Sequence, residues 1–295
     1  YAVQLARAAL LYPHRGLNVL LIGREGSGRK YMAEVMHKAA VQQGLLAEQV
    51  PFVMCDCMDF GADDAATITE LLGDGTQGGM LAEAAGGILF LHKIQFLSVN
   101  VRRKLLRCFV EVEDARELPM IFLSCDDEAL DVISLLEDHV LAEIRLPSLT
   151  ERPLLERRKL LEHFLVAEAY RTKRTITLES EVLACLMLFP CEKEILTLKT
   201  QIRKACMNAY LRDYMDHAGE LHLYISDFDP SVRKGFLNYR ADKEAVDALV
   251  KPRMRYSYQE GGVTVLAPEM LPAEEAQASE PQIRTDEPSP VLLFV

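Results

Sequence analysis

The chain has 295 residues, 49% of them apolar, and its 44 acids outnumber its 33 lysines and arginines to leave a net charge of −11. That length holds one large domain or two ordinary ones, and the acidic balance excludes a chain that coats nucleic acid with its whole surface, while leaving a local basic patch open. No apolar run approaches the roughly 18 residues of a membrane span, and no signal peptide is read.

Residues 1–11 suit a helix that Pro13 stops. The apolar runs "GLNVLLIG" (16–23), "VPFVMCDC" (50–57), "GGILFLHK" (86–93), "LPMIFLSC" (118–125) and "AEIRLP" (142–147) read as strands. Between them Met32, Val35, Met36 and Ala39 mark one helix face, and Val101, Leu105, Phe109 and Val110 mark another. Apolar strands alternating with helices predict a parallel sheet covered on both faces, over residues 1–149. Beyond Pro147, Leu154, Leu161, Phe164, Leu165 and Ala169 form one helical stripe, and Ile195, Leu198, Ile202, Ala205 and Ala209 form another. These predict a small helical domain over 150–216. Residues 217–262 add a strand-like piece and a further helix. Residues 263–295 are rich in Pro, Glu and Ala and read as a linker, with "PVLLFV" opening a further domain. Both ends read as cut from a longer chain.

Seven scattered cysteines are expected to be buried thiols in a reducing cytoplasm, since Cys55 and Cys57 lack the second pair that a zinc site needs. The histidines show no metal-ligand spacing, no nucleophile motif occurs, and no catalytic residue is assigned. The basic runs "RRKLLR" (102–107) and "RPLLERRK" (152–159) read as solvated helix faces rather than DNA sites.

One stretch carries chemistry. "GREGSGRK" (23–30) sets Gly23, Gly26 and Gly28 after a strand and before a helix. Glycines there permit a tight turn whose N–H groups point inward at a helix N-terminus, which suits a phosphate. The phosphate-loop pattern G-x-x-x-x-G-K-[ST] is met only at its glycines: Arg29 stands at the lysine place and Lys30 at the hydroxyl place. One step along a helix turns a side chain by ~100°, so Lys30 should aim elsewhere, and the planar fork of Arg29 is larger than an ammonium. Ser27 fits as a small turn residue. A phosphate site and a bare glycine turn both remain open readings.

Taken in order, "GREGSGRK", "PFVMCDC", "GGMLAEAAGGILFLHKIQFL", "RRKLLRCF" and "IRLPSLTERP" resemble the AAA+ domain of bacterial sigma-54-dependent transcriptional activators, whose members read like GETGVGKE, PFVAVNC, GLFEQADGGTLFLDEI, QAKLLRVL and IRLPPLRERP. The later "TITLESEVLACLMLF" and "ISDFDPSVRKGFLNY" resemble the LevR-like regulators of sugar phosphotransferase operons. The likeness runs over residues 1–255. It implies an α/β P-loop NTPase (AAA+) three-layer sandwich with a parallel sheet, followed by a small helical lid. It also implies ATP as ligand, self-association, sigma-54 RNA polymerase as partner, DNA contact only through domains outside this chain, and a cytoplasmic protein off the membrane.

The departures from that family pattern concern its chemistry. His92 stands for the magnesium-binding Asp, Lys93 for the catalytic Glu, and Asp126 for the Asn of the first sensor. No arginine occurs from Leu118 to Ile144, where the arginine finger is expected, nor in "EKEILTL", where the lid sensor is expected. The GAFTGA loop that touches the sigma factor is missing from "LLGDGTQGGMLAEAAGG". Cations at the acid positions would repel Mg²⁺ and cannot polarise a water, so ATP is expected to bind weakly and without Mg²⁺. Arg29 and Lys93 are expected to attract one anion. Three readings follow: a non-hydrolysing scaffold or oligomerisation core of a regulator, a working ATPase that remodels sigma-54, and a decayed paralogue.

Overall fold

Strand β1 (Val19–Ile22) is four apolar residues, all buried, and the rest of the first unit is laid around it. The computed structural model describes residues 1–266 apart from 13–15, 75–77, 112–117, 137–139, 141, 214–219, 251–252 and 260–261. Two compact units divide it, Tyr1–Pro147 and Ser148–Val295.

In the first unit, helix α1 (Ala2–Leu11), β1, α2 (Arg29–Gln42), β2 (Phe52–Asp56), α3 (Asp64–Leu72), α4 (Met80–Glu83), β3 (Ile88–His92), α5 (Val99–Glu111), β4 (Met120–Cys125), α6 (Leu130–Leu136) and β5 (Ala142–Arg145) follow one another. The strands pair in the order β2-β3-β4-β1-β5, all parallel, with Val19 of β1 opposite both Phe122 of β4 and Ala142 of β5. Strands buried on both faces need apolar residues at every position, which is why they read as runs rather than alternations. Ile88, Leu89, Phe90 and Leu91 of β3 are all fully buried. Burying each such side chain stabilises the fold by about 1.5–3 kcal/mol, so the sheet is a firm base for the loops at its C-terminal edge.

On α5, Val101, Leu105 and Leu106 face the core and Arg103, Lys104 and Arg107 face water. Arg102 departs from the expected solvated face: it is buried and donates to Asp131 at 3.1 Å. Pro13 and the side chains of Phe109 and Val110 lie outside the described residues. The Asp63 carboxylate caps α3 by accepting from the backbone N–H of Ala65 and Ala66. The chain returns to α4 through Gly79, packed so tightly that an added Cβ would lie 2.5 Å from the backbone N of Gly73.

The second unit holds α7 (Leu154–Thr172), β6 (Thr175–Glu179), α8 (Ser180–Leu188), α9 (Glu194–Asp213), β7 (Glu220–Leu223), α10 (Lys234–Asp247), β8 (Arg253–Gln259) and β9 (Gly262–Leu266). Its sheet runs β7-β6-β8-β9, parallel between β6 and β7 and antiparallel elsewhere. The stripes on α7 and α9 do form its core, with Leu161, Leu165, Leu198, Ile202 and Ala209 buried. The buried carboxylate of Glu168 on α7 accepts from Arg171 and, across to α9, from Arg203 at 3.1 Å.

Two expectations need correction here. The 150–216 stretch is not purely helical, because "TITLE" forms β6 and pairs on both sides, its β-branched residues buried in the middle of a sheet. Residues 263–266 belong to a strand rather than a linker, since "GVTVL" pairs with β8, Val265 opposite Tyr256. The stretch 267–295, "PVLLFV" included, lies outside the described residues. Cys55, Cys57, Cys125, Cys185 and Cys206 are buried free thiols. Among the described residues, no helix is long and apolar enough to cross a membrane.

Candidate functional site

The residues singled out from the sequence lie at the C-terminal edge of the parallel sheet, where β1, β3 and β4 end. After β1 the chain turns through Gly23–Gly28 into α2. Gly26 and Gly28 adopt φ of 84° and 101°, left-handed values that a side chain resists. Gly23 is needed for a different reason: a Cβ there would stand 2.7 Å from the Ser27 hydroxyl. Ser27 is therefore folded inward against the turn, in its expected place as a small residue, and its N–H donates to the Arg24 carbonyl at 3.1 Å. The Gly23 N–H reaches the Cys125 carbonyl at the end of β4 at 3.4 Å, joining the two loops.

Helix α2 begins at Arg29 behind an N-cap glycine that has no side chain to satisfy its first N–H groups. Lys30 is exposed, as the helical rotation requires. Arg29 behaves differently. Its side chain is only 2% exposed, and its Nη2 donates to Asp126 Oδ1 at 2.5 Å. Asp126, at the first-sensor position just after β4, is 35% exposed in its side chain. Its other oxygen accepts from Gln95 Nε2 at 2.6 Å. The fold thus closes an Arg29–Asp126–Gln95 chain across three loops, with both carboxylate oxygens in use.

At the tip of β3, His92 and Lys93 both lean on one residue, Ser124 of β4. The buried Ser124 hydroxyl accepts from the Lys93 backbone N–H at 3.1 Å and lies 2.7 Å from His92 Nδ1. The hydroxyl keeps its own proton for that ring nitrogen, which suits a neutral imidazole. Burial pushes the His92 pKa down to about 4, and the nearby charges of Arg29, Lys93 and Lys30 push the same way against the opposing pull of Asp56. Lys93 itself takes φ 60°, ψ 52°, a left-handed conformation uncommon outside glycine, and its Nζ lies 3.0 Å from Met58 Sδ.

All nine residues proposed from the sequence, namely Gly23, Gly26, Ser27, Gly28, Arg29, Lys30, His92, Lys93 and Asp126, thus sit at one sheet edge, in the turn before α2, the first turn of α2, the end of β3 and the starts of the segments after β3 and β4. The expectation that Arg29 and Lys93 share one anion meets a competitor, because Arg29 already holds a carboxylate. Gln95 and Ser124 are the partners that sequence reasoning missed. Ser124 had a signal, a lone hydroxyl inside the apolar run "MIFLSC", whereas Gln95 had none. Among the described residues, no group of three or more His, Cys, Asp or Glu side chains could hold a metal ion. The glycine loop and the uncapped N-terminus of α2 fit a phosphate group.

Residues 2–116 match the family described as the Sigma-54 interaction domain. The transcriptional regulatory protein DagR of Salmonella typhimurium is 28% identical over 242 residues, which is 75% of this chain and 26% of DagR. The transcriptional regulatory protein LevR of Bacillus subtilis is 24% identical over 257 residues, 80% of this chain and 27% of LevR. The chain thus spans about a quarter of the length of these curated relatives. Among solved structures, NtrX from Brucella abortus in complex with ATP superposes with a TM-score of 0.59 at 17% identity, over 83% of this chain and 58% of that one. That likeness, with the strand order of the first unit, establishes the α/β P-loop NTPase (AAA+) fold. Residues 2–116 are thus similar to the Sigma-54 interaction domain, as the motifs indicated, and most of the chain is similar to the transcriptional regulators DagR and LevR.

Proposed function

We propose that this chain is the AAA+ core of a bacterial transcriptional regulator, and that it works by self-association and scaffolding rather than by hydrolysing ATP. The observation that carries this reading is the Arg29–Asp126 ion pair, 2.5 Å long. The side chain at the phosphate-loop lysine position is held by a carboxylate of its own chain, while His92 and Lys93 occupy the two places where family members carry acids. Phosphoryl transfer needs a metal to neutralise charge developing on the leaving oxygens and a carboxylate to orient water. His92 and Lys93, at the two positions where family members carry those acids, can fill neither role.

The helix connection supports the same reading. Only residues 73–79 link α3 to α4, with Gly79 against Gly73, so no contact loop of the GAFTGA kind is available to engage sigma-54. Partners beyond a second copy, DNA among them, would reach the protein through other domains of a longer chain.

A rival reading, a working ATPase that remodels sigma-54 RNA polymerase, is favoured by one observation, the left-handed geometry of Gly26 and Gly28 before an uncapped helix. A malachite-green assay of the purified chain with ATP and Mg²⁺ separates the two. Phosphate release at the level of a heat-killed blank is expected. Release that disappears on deleting residues 23–30 would establish the ATPase instead. Light scattering should likewise show the same assembly with and without ATP, where a nucleotide-driven ring would grow on ATP addition.

A further inference from the structure

Three features belong to the phosphate loop and the first residue of its helix. The 14-residue helix α2 opens there without a side-chain cap. The two left-handed glycines turn the preceding backbone around the same spot. The Arg29 side chain, nine-tenths buried and more, spends Nη2 on Asp126 while its Nη1, also buried, has no hydrogen-bond partner. A guanidinium that cannot reach water and has a donor left over is suited to a second, forked acceptor.

The two members of the ion pair are not equally fixed. Arg29 is locked inside, whereas the Asp126 side chain is 35% exposed and can turn out to solvent. Lys93 and Lys30 add positive charge close enough to act on the His92 ring. A phosphate would bring more negative charge and more acceptor oxygens than the carboxylate it displaced, whereas a divalent cation would meet Arg29 and Lys93 with only Asp56 to oppose them once Asp126 turned away.

We propose that this loop binds a phosphate group without a divalent cation, and that the Asp126 carboxylate is the internal competitor which the phosphate must displace from Arg29. The proposal rests on the non-hydrolysing reading of the same site, and it assigns Asp126 the role of a gate rather than of a sensor.

Isothermal titration of the full 295-residue chain with inorganic phosphate and, separately, with ADP, each in EDTA and again with Mg²⁺, tests it. Binding in EDTA that Mg²⁺ leaves within about twofold is expected for at least one of them. ADP binding at least about tenfold tighter than phosphate would identify a nucleotide as the source, and equal affinities would identify the free ion. Asp126→Asn should tighten binding about tenfold, and Arg29→Met should abolish it. Should Arg29→Met fail to fold, Lys93→Ala at the loop mouth should still weaken binding several-fold. In thermal unfolding, phosphate should raise the midpoint of Asp126→Asn more than that of the unaltered chain. Binding seen only with Mg²⁺, or absent at about 10 mM ligand from both the unaltered chain and Asp126→Asn, would overturn the proposal. Absence of binding with absence of hydrolysis sinks this inference alone, whereas Mg²⁺-dependent cleavage of ATP sinks the proposed function with it.

Discussion

The turn after β1 and the tips of β3 and β4 lie at one sheet edge yet have diverged to different extents from the family pattern. The turn keeps the family's backbone: a buried strand, glycines at φ 84° and 101°, and a helix that starts without a cap. The tips keep their strands and change their chemistry, with His92 and Lys93 for two acids and Asp126 reaching back to Arg29. Sterics and burial govern the first region, and a handful of charges governs the second.

The largest effects should come from breaking the frame. Leu21, fully buried in β1, should cost about 2–5 kcal/mol on replacement by alanine, measured as a lower midpoint in urea unfolding. Gly28→Val forces a β-branched residue to φ 101° and should cost about 1–3 kcal/mol by the same measurement. Changes at the strand tips should be smaller and asymmetric. Asp126→Ala strands a buried guanidinium and should cost about 1–3 kcal/mol. Arg29→Met leaves behind only the Asp126 carboxylate, which is 35% exposed and can be hydrated, and should cost less, about 1 kcal/mol. Equal losses from the two would show that the pair is held by attraction rather than by its surroundings.

The smallest effect is one of pH. The native His92 pKa lies near 4 and the unfolded one near ~6.5. The unfolded chain therefore takes up a proton first as pH falls, and stability is lost between about 6.5 and about 4 and unaffected above that window. Burial of the ring sets the window first, with Arg29, Lys93 and Lys30 adding to it and Asp56 opposing. The slope of thermal midpoint against pH over that range should be shallower in His92→Gln.

Much of the fold was legible because its demands are local. Strands buried on both faces must be apolar almost throughout, so β1, β3 and β4 stand out as runs, and a left-handed turn favours glycine, so Gly26 and Gly28 stand out as well. β6 was hidden because five residues between two helical patterns are too short for their period to show. β9 was hidden because its own composition is drowned in that of the stretch after it. The partnership of Arg29 was out of reach for a different reason: Asp126 lies 97 positions away, and nothing in either neighbourhood says that a strand will bring the two within 2.5 Å. Gln95 joins them only because a one-turn 3-10 helix, Ile94–Phe96, follows Lys93.

The short link between α3 and α4 sets a limit of pure length. A chain advances at most ~3.3–3.6 Å per residue. The seven residues 73–79 therefore have a total contour of about 25 Å, and a finger that must go out and come back can project no more than about 12 Å. The pinch of Gly79 on Gly73 spends part of that at the root. A contact made through this link would lie within about that distance of α3 and α4.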